Sequence, residues 1–270
     1  MNPLLKRAGE AALTLSLRSA GREQGLQPLA ERLAEFSADM RDHYTSFEVR
    51  SEYLLAKVLY QHAFQTSLAL RALDEGARAV ADIGDSSGLH TRYLRALRPE
   101  SKAEFVSVNL DPAAVDRIRA RGLTAIRARA EDIAGMGITA DLFLLFQTLE
   151  HLSDPFRFLH ALSARSGCRR LVLTVPFVRR SRLGLHHIRQ ALRQPVSPER
   201  VHLLELCPED LRLLFRHTGW DVEYEQTYLQ YPLWSPLRAT HPIWARWDFE
   251  GFYGAVLKPE PSWSSLYSDW

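Results

Sequence analysis

The stretch Val80-Ala-Asp-Ile-Gly-Asp-Ser-Ser-Gly88 decides how this chain is read. The run from Ala77 to Ile83 is small and β-branched, broken only by Arg78 and Asp82, and predicts a buried strand. It stops at Gly84, turns through short polar residues, meets Gly88 and passes into a helical pattern through Leu89, Tyr93, Leu94 and Leu97. Such a strand–turn–helix sets its turn at the carboxyl end of a first strand, where open α/β sheets bind nucleotide-like ligands. Glycine there lets a ligand approach the backbone, and a helix amino terminus offers N–H groups without intrahelical partners. The dinucleotide pattern G-x-G-x-x-G is absent, and Asp82 precedes the turn instead.

Working outward, residues 1–73 read as helical, with apolar residues at helical spacing through Leu29, Leu33, Phe36 and Met40 and again from Phe47 to Leu70. Beyond them the pattern alternates. Strands are predicted at 78–83, 104–109, 124–127, 141–146 and 170–175, with helices at 88–98, 112–121 and 153–166 between them. This order specifies a parallel sheet covered by helices on both faces. A polar segment, 177–200, follows, then a helix at 208–218 and two strands at 221–228 and 252–257, a closing antiparallel pair. The expected organisation is a helical extension or cap over 1–73, an α/β domain over 74–258 with a basic insertion at 177–202, and a turn-rich tail over 259–270.

The turn resembles motif I of the class I S-adenosylmethionine-dependent methyltransferases, in which an acidic residue precedes a short glycine turn. Asp82, Gly84 and Gly88 match it, and Ser86 stands where a middle glycine is usual. The order of elements is similar to the Rossmann-like seven-stranded sheet of that family. The resemblance implies S-adenosylmethionine as cofactor. In the family the second strand ends in an acidic residue that binds the ribose hydroxyls; here that position is Asn109, which retains one acceptor. Asp111 before Pro112 reads as a helix cap. After the third strand Arg129 occupies the place of an adenine-contacting Asp, followed by Glu131 and Asp132, of which Glu131 is the candidate contact. The exit of the fourth strand, Gln147-Thr-Leu-Glu-His151-Leu-Ser-Asp-Pro155, resembles the Leu-Glu-His-x-x-Asp-Pro segment of small-molecule methyltransferases. By that likeness Gln147 flanks the cofactor, and Glu150 and His151 face the acceptor as candidate catalytic residues, His151 as a general base.

A metal reading competes at the same segment. Some small-RNA 2′-O-methyltransferases and ubiquinone-pathway O-methyltransferases hold a divalent ion with Glu-x-x-Glu-His and a later side chain. This chain has Gln147-x-x-Glu150-His151, with His186, His187 and His202 as later candidates. Gln is a poorer ligand than carboxylate for a hard cation, and the favoured alternative has Glu150 and His151 hydrogen-bonding loop backbone, so no metal is assigned. Arg179, Arg180, Arg182, Arg189, Arg193 and Arg200 in the insertion suit an anionic or sugar-like acceptor, or else lie solvated on an exposed helix. Tyr60-Gln-His62 precedes the turn where relatives close over the cofactor, and the aromatics from Tyr228 to Tyr253 line an acceptor pocket or fill core.

A chain of 270 residues, 46% hydrophobic, can bury a full core. Its net charge of +2 makes no case for nucleic acid, and no apolar run is long enough for a bilayer. Glu10 and Arg18 bracket the run Ala11–Leu17 too tightly for a signal peptide, so it reads as a cytoplasmic helix. Cys168 and Cys207 lack metal spacing and read as reduced core thiols. The leading function is methyl transfer from S-adenosylmethionine to oxygen or nitrogen of a small acceptor, with a homodimer left open. The alternatives are a methyltransferase-like scaffold without catalysis, which Ser86, Asn109 and Arg129 favour together, and a metal-assisted RNA methyltransferase.

Overall fold

The computed structural model describes residues 3–43, 48–183, 201–247 and 250–266. Its centre is a seven-stranded sheet in the order β3-β2-β1-β4-β5-β9-β8. The first five strands are β1 (Ala79–Ile83), β2 (Glu104–Asn109), β3 (Ala125–Arg127), β4 (Leu142–Phe146) and β5 (Arg170–Pro176). They run parallel, and the chain order reverses on either side of β1, which places the switch point between β1 and β4. Antiparallel β9 (Gly251–Pro259) inserts between β5 and β8 (Trp220–Leu229). The seven-stranded α/β sheet anticipated from the sequence is therefore the one observed, with strand ends shifted by no more than two residues. A two-residue pair, β6 (Arg182–Leu183) with β7 (Leu204–Glu205), escaped the sequence pattern because two residues carry no periodicity.

The period-two alternation of strands sends side chains to two separate layers. Val80, Leu142, Leu144, Val172 and Val256 face one core, together with α4 (Glu52–Leu73) and α5 (Leu89–Leu97). Ala81, Phe143, Leu145, Leu173 and Ala255 face the other, where α7 (Pro155–Arg165) contributes Phe158, Leu159 and Leu162. The helix Pro208–His217 adds Leu211, Leu214 and Phe215 to that layer. With both faces covered, β4 reads Leu-Phe-Leu-Leu-Phe and is buried throughout. Capping residues set the helix starts: Ser51 accepts from the Leu54 amide, Asp111 from Ala113, and Asp154 from Arg157.

The N-terminal region is helical as expected over its described residues, with α1 (Pro3–Glu23), α2 (Gln27–Leu33), α3 (Ser37–Arg41) and α4. Helix α4 lies directly on the sheet: a Cβ on Gly254 of β9 would stand 2.4 Å from Leu68 Cδ1. Helix α1 is tied to the far end of the chain. Gln24 donates to the Leu229 carbonyl and accepts from the Leu229 amide, both at 2.8 Å, extending the β8 ladder with a side chain. Glu23 accepts from the Leu233 amide at 2.7 Å, and the Ser16 and Thr240 hydroxyls pair at 2.8 Å. Among the described residues no helix is long and apolar enough to cross a membrane.

Candidate cofactor and acceptor site

The turn after β1 is built as its glycines require, though for another reason than ligand approach alone. Gly84 and Gly88 take φ values of +87° and +76°, which side chains other than glycine adopt only under strain. A Cβ at Gly84 would lie 2.1 Å from Thr148 Oγ1, and one at Gly88 2.3 Å from Leu123 Cδ1. Neighbouring segments thus pack against the bare backbone. Two of the amides available to a ligand are held internally: Asp85 Oδ1 accepts from Ser87 at 3.0 Å and from Gly88 at 2.8 Å, while its Oδ2 takes the Ser107 hydroxyl at 2.7 Å. Sequence reasoning passed over Asp85, although an acidic residue within a glycine turn signals self-capping.

Asp82 lies beneath the turn, 2% exposed, with His90 Nδ1 at 3.2 Å from its Oδ2. Burial and the nearby Asp85 charge push its carboxyl up to about 6. Burial works against the His90 cation, yet the hydrogen bond and charge of Asp82 hold that imidazole above its ordinary range. Two further buried imidazoles flank His90: His62 meets Tyr93 Oη at 2.9 Å through Nδ1, and His43 meets Ser87 Oγ at 2.6 Å. Their ring centroids are 4.7 Å apart, and His62 stands 5.1 Å from His90. Burial, reinforced by neighbouring imidazoles, keeps both well below the usual histidine range, with Arg121 and Arg117 adding to the effect at His43. This polar layer joins the N-terminal helices to the turn. Of it, the sequence had marked only Asp82 and His62.

At the carboxyl edge of the sheet the remaining candidates are half-buried: Gly84 and Ser86 in the turn, Asn109 ending β2, Glu131 after β3 and Gln147 after β4. Gly88 and Asp82 lie below them, fully buried. Asn109 donates from Nδ2 to the Asp85 carbonyl at 2.8 Å and accepts the Asp111 amide on Oδ1 at 2.8 Å, so it ties the turn to β2 and retains one lone pair on Oδ1. Asp111 is the cap its sequence implied. Arg129 is exposed and pairs with Glu131 at 3.6 Å. Gln147 donates from Nε2 to Thr174 Oγ1 at 3.1 Å. These groups follow the carboxyl ends of the neighbouring strands β3, β2, β1 and β4, the edge at which open α/β sheets bind ligands.

On the acceptor side, Glu150 is 3% exposed, and neither carboxylate oxygen has a hydrogen-bond partner among the described residues. Burial raises its carboxyl, against the lowering effect of His151 and His202. His151 Nδ1 meets the Val201 carbonyl at 2.9 Å, the backbone contact expected of it; the Glu150 side chain makes no such contact. His202 Nδ1 meets Glu205 Oε1 at 2.8 Å, and Glu205 is also bound by Arg182. Two groups bring ligand atoms within 4.8 Å of one another, Glu150–His151–His202 and Asp82–Asp85–His90. They differ in what remains available. Asp85 is engaged by three donors, whereas the Glu150 carboxylate has none among the described residues.

Of the basic insertion, Arg179 pairs with Glu250 at 2.8 Å and Arg182 with Glu205, so both serve internal carboxylates. Arg189, Arg193, Arg200, His186 and His187 lie outside the described residues. Tyr228, Tyr231, Trp244, Phe252 and Tyr253 are core, while Trp234 is 87% exposed.

Residues 81–164 match the family described as methyltransferase domain. The sheet has the class I methyltransferase fold. Among solved structures, the domain and its flanking elements are similar to a Burkholderia thailandensis 1,6-didemethyltoxoflavin-N1-methyltransferase bound to 1,6-didemethyltoxoflavin and S-adenosylhomocysteine, at 14% identity and a TM-score of 0.54, over 86% of this chain and 87% of that one. A putative sarcosine dimethylglycine methyltransferase from Galdieria sulphuraria aligns at 11% identity and a TM-score of 0.55, over 77% and 88% of the two chains. The [4+2]-cyclase SpnF aligns at 12% identity and 0.56, over 87% and 97%. No curated protein sequence matches the chain. At these identities the likeness establishes the methyltransferase fold, and SpnF shows that the fold also hosts a cyclase.

Proposed function

We propose that this chain binds S-adenosylmethionine along the carboxyl edge of β1, β2 and β4 and transfers its methyl group to oxygen or nitrogen of a small acceptor. The observation that carries the reading is the placement of Ser86, Asn109, Glu131 and Gln147: four half-buried polar side chains at or beyond the ends of β1 to β4, over a buried framework. Ser86 and the Gly84 backbone would meet the methionine end, Asn109 the ribose, Glu131 the adenine side and Gln147 the sheet-edge flank; Asp82 and Gly88 shape the turn. The cofactor's sulfonium supplies an activated methyl group, so the protein's task is alignment of an acceptor in line with it. His151, its ring held by the Val201 carbonyl, is the candidate proton acceptor, with Glu150 beside it. An anionic acceptor rests on arginines of the insertion other than Arg179 and Arg182. Buried, unpaired Cys168 and Cys207 suit a reducing, cytoplasmic setting.

A second reading has a specific observation behind it. A buried carboxylate without donors is costly unless a cation meets it, and Glu150 lies with two histidines whose Nδ1 atoms are held by a carbonyl and a carboxylate. That is how outer partners fix histidines as ligands. A divalent ion there would take over from His151 the task of acidifying an acceptor hydroxyl.

Titration calorimetry with S-adenosylmethionine and S-adenosylhomocysteine tests the first reading. Micromolar binding lost in Gly84→Arg supports it; no binding by folded protein overturns it and leaves a non-catalytic binding protein. Titration with Mn²⁺ tests the second, with binding expected in the wild type and absent in Glu150→Gln.

A further inference from the structure

Gln147 has a φ of +49° and is alone among the described non-glycine residues in the left-handed region. Such a conformation persists only where its surroundings enforce it. The enforcing contacts begin at Thr174: the Gln147 amide donates to its carbonyl at 2.8 Å, and Nε2 donates to its Oγ1 at 3.1 Å. The same Oγ1 accepts from Gln65 Nε2 at 3.2 Å. Gln65 Oε1 then faces His90 Nε2 at 3.2 Å, and His90 Nδ1 faces Asp82 Oδ2 at 3.2 Å. Thr174, Gln65, His90 and Asp82 are all buried, at most 6% exposed. The chain therefore runs from β1 through α5, α4 and β5 to the end of β4.

The Gln65 carboxamide, donating to Thr174 through Nε2, sets the direction of the chain. Gln65 Oε1 is an acceptor, so His90 Nε2 carries a hydrogen; a second proton must then lie between His90 Nδ1 and Asp82, or two acceptors would face each other. At the other end, Thr174 takes the Gln147 nitrogen, which leaves the carboxamide oxygen for a partner at the half-buried sheet edge. That oxygen is an acceptor, matched to an ammonium or hydroxyl donor.

We propose that Thr174, Gln65 and His90 are positioning residues that hold Gln147 with its carboxamide oxygen toward the cofactor, where it receives a donor group. The proposal rests on the cofactor reading above. It concerns buried residues on α4, α5 and β5.

The test is S-adenosylhomocysteine affinity of the full chain by calorimetry. Thr174→Val keeps the side-chain shape and removes the shared acceptor; binding is expected to weaken about tenfold, the worth of one hydrogen bond. Thr174→Ser restores the hydroxyl and should restore affinity. Gln147→Ala should weaken binding by a similar factor, and adding Thr174→Val to it should cost nothing more, because the effect passes through Gln147. Equal losses in both backgrounds would reduce the chain to core packing and overturn the proposal. Gln65→Met gives the same comparison should Thr174→Val not fold. A folded wild type that does not bind S-adenosylhomocysteine removes the cofactor reading and this proposal together. Binding with additive losses removes this proposal alone.

Discussion

At Gly84 two constraints coincide: a φ of +87° and the Thr148 hydroxyl at 2.1 Å from where a Cβ would stand. Gly84→Ala is therefore expected to destabilise the fold by roughly 2–4 kcal/mol in urea denaturation, conformational strain and overpacking together. Adding Thr148→Ala should recover the steric part and leave the strain. A Gly84→Ala chain as stable as wild type would contradict both constraints. Residues of this kind were legible in the sequence because turn chemistry is local: Asp82, Gly84, Gly88 and the Asp111 cap each announce themselves within a few neighbours. The Gln65–Thr174 contact joins residues 109 apart, and His43 reaches Ser87 across 44. No short-range pattern encodes such pairs; helix and sheet packing creates them. Glu150 and His151 were readable as a motif, but not that the Glu150 carboxylate has no donor among the described residues, which depends on how the segment after Val201 folds back.

Among the elements, β1, β4 and β5 were readable because apolar strands buried on two faces stand out against the helices between them, and β8 with β9 because an apolar pair followed a helix with Gly219 past its end. Their insertion order is a matter of pairing. Within β9, Gly254 permits α4 to rest on the sheet, with Leu68 Cδ1 at 2.4 Å and Phe64 Cζ at 3.0 Å from an added Cβ. Gly254→Val should lift α4 and cost about 1–3 kcal/mol, seen as a lower urea midpoint. Gly9 of α1 provides the control, since a Cβ there meets nothing within 4 Å. Gly9→Ala should be neutral or stabilise by up to ~1 kcal/mol. Similar losses at both positions would show that the α4–β9 contact is not what Gly254 protects.

Over the whole molecule, the buried imidazoles between the N-terminal helices and the sheet link stability to pH. His43 and His62 are held neutral by burial. The unfolded chain protonates them below about pH 6.5, so acidification favours unfolding by up to ~1.4 kcal/mol per pH unit for each. Asp82 and His90 act in the opposite sense. Their folded pKa values are raised, Asp82 to about 6, so their stabilising share is present in acid and is lost as pH rises through those values. His62→Gln keeps a polar partner for Tyr93 and does not titrate; its Tm should fall less than that of the wild type between pH 7 and pH 5, and parallel falls would count against a neutral buried His62. The insertion of β9 between β5 and β8 also has a bearing on synthesis. On the ribosome β5 emerges long before β9, and until residues 251–259 follow, its open edge is a template for stray strand pairing. The partners of α1 on Leu229 and Leu233 are likewise translated late. A chain stalled before Glu250 therefore carries its open strand edge at β5.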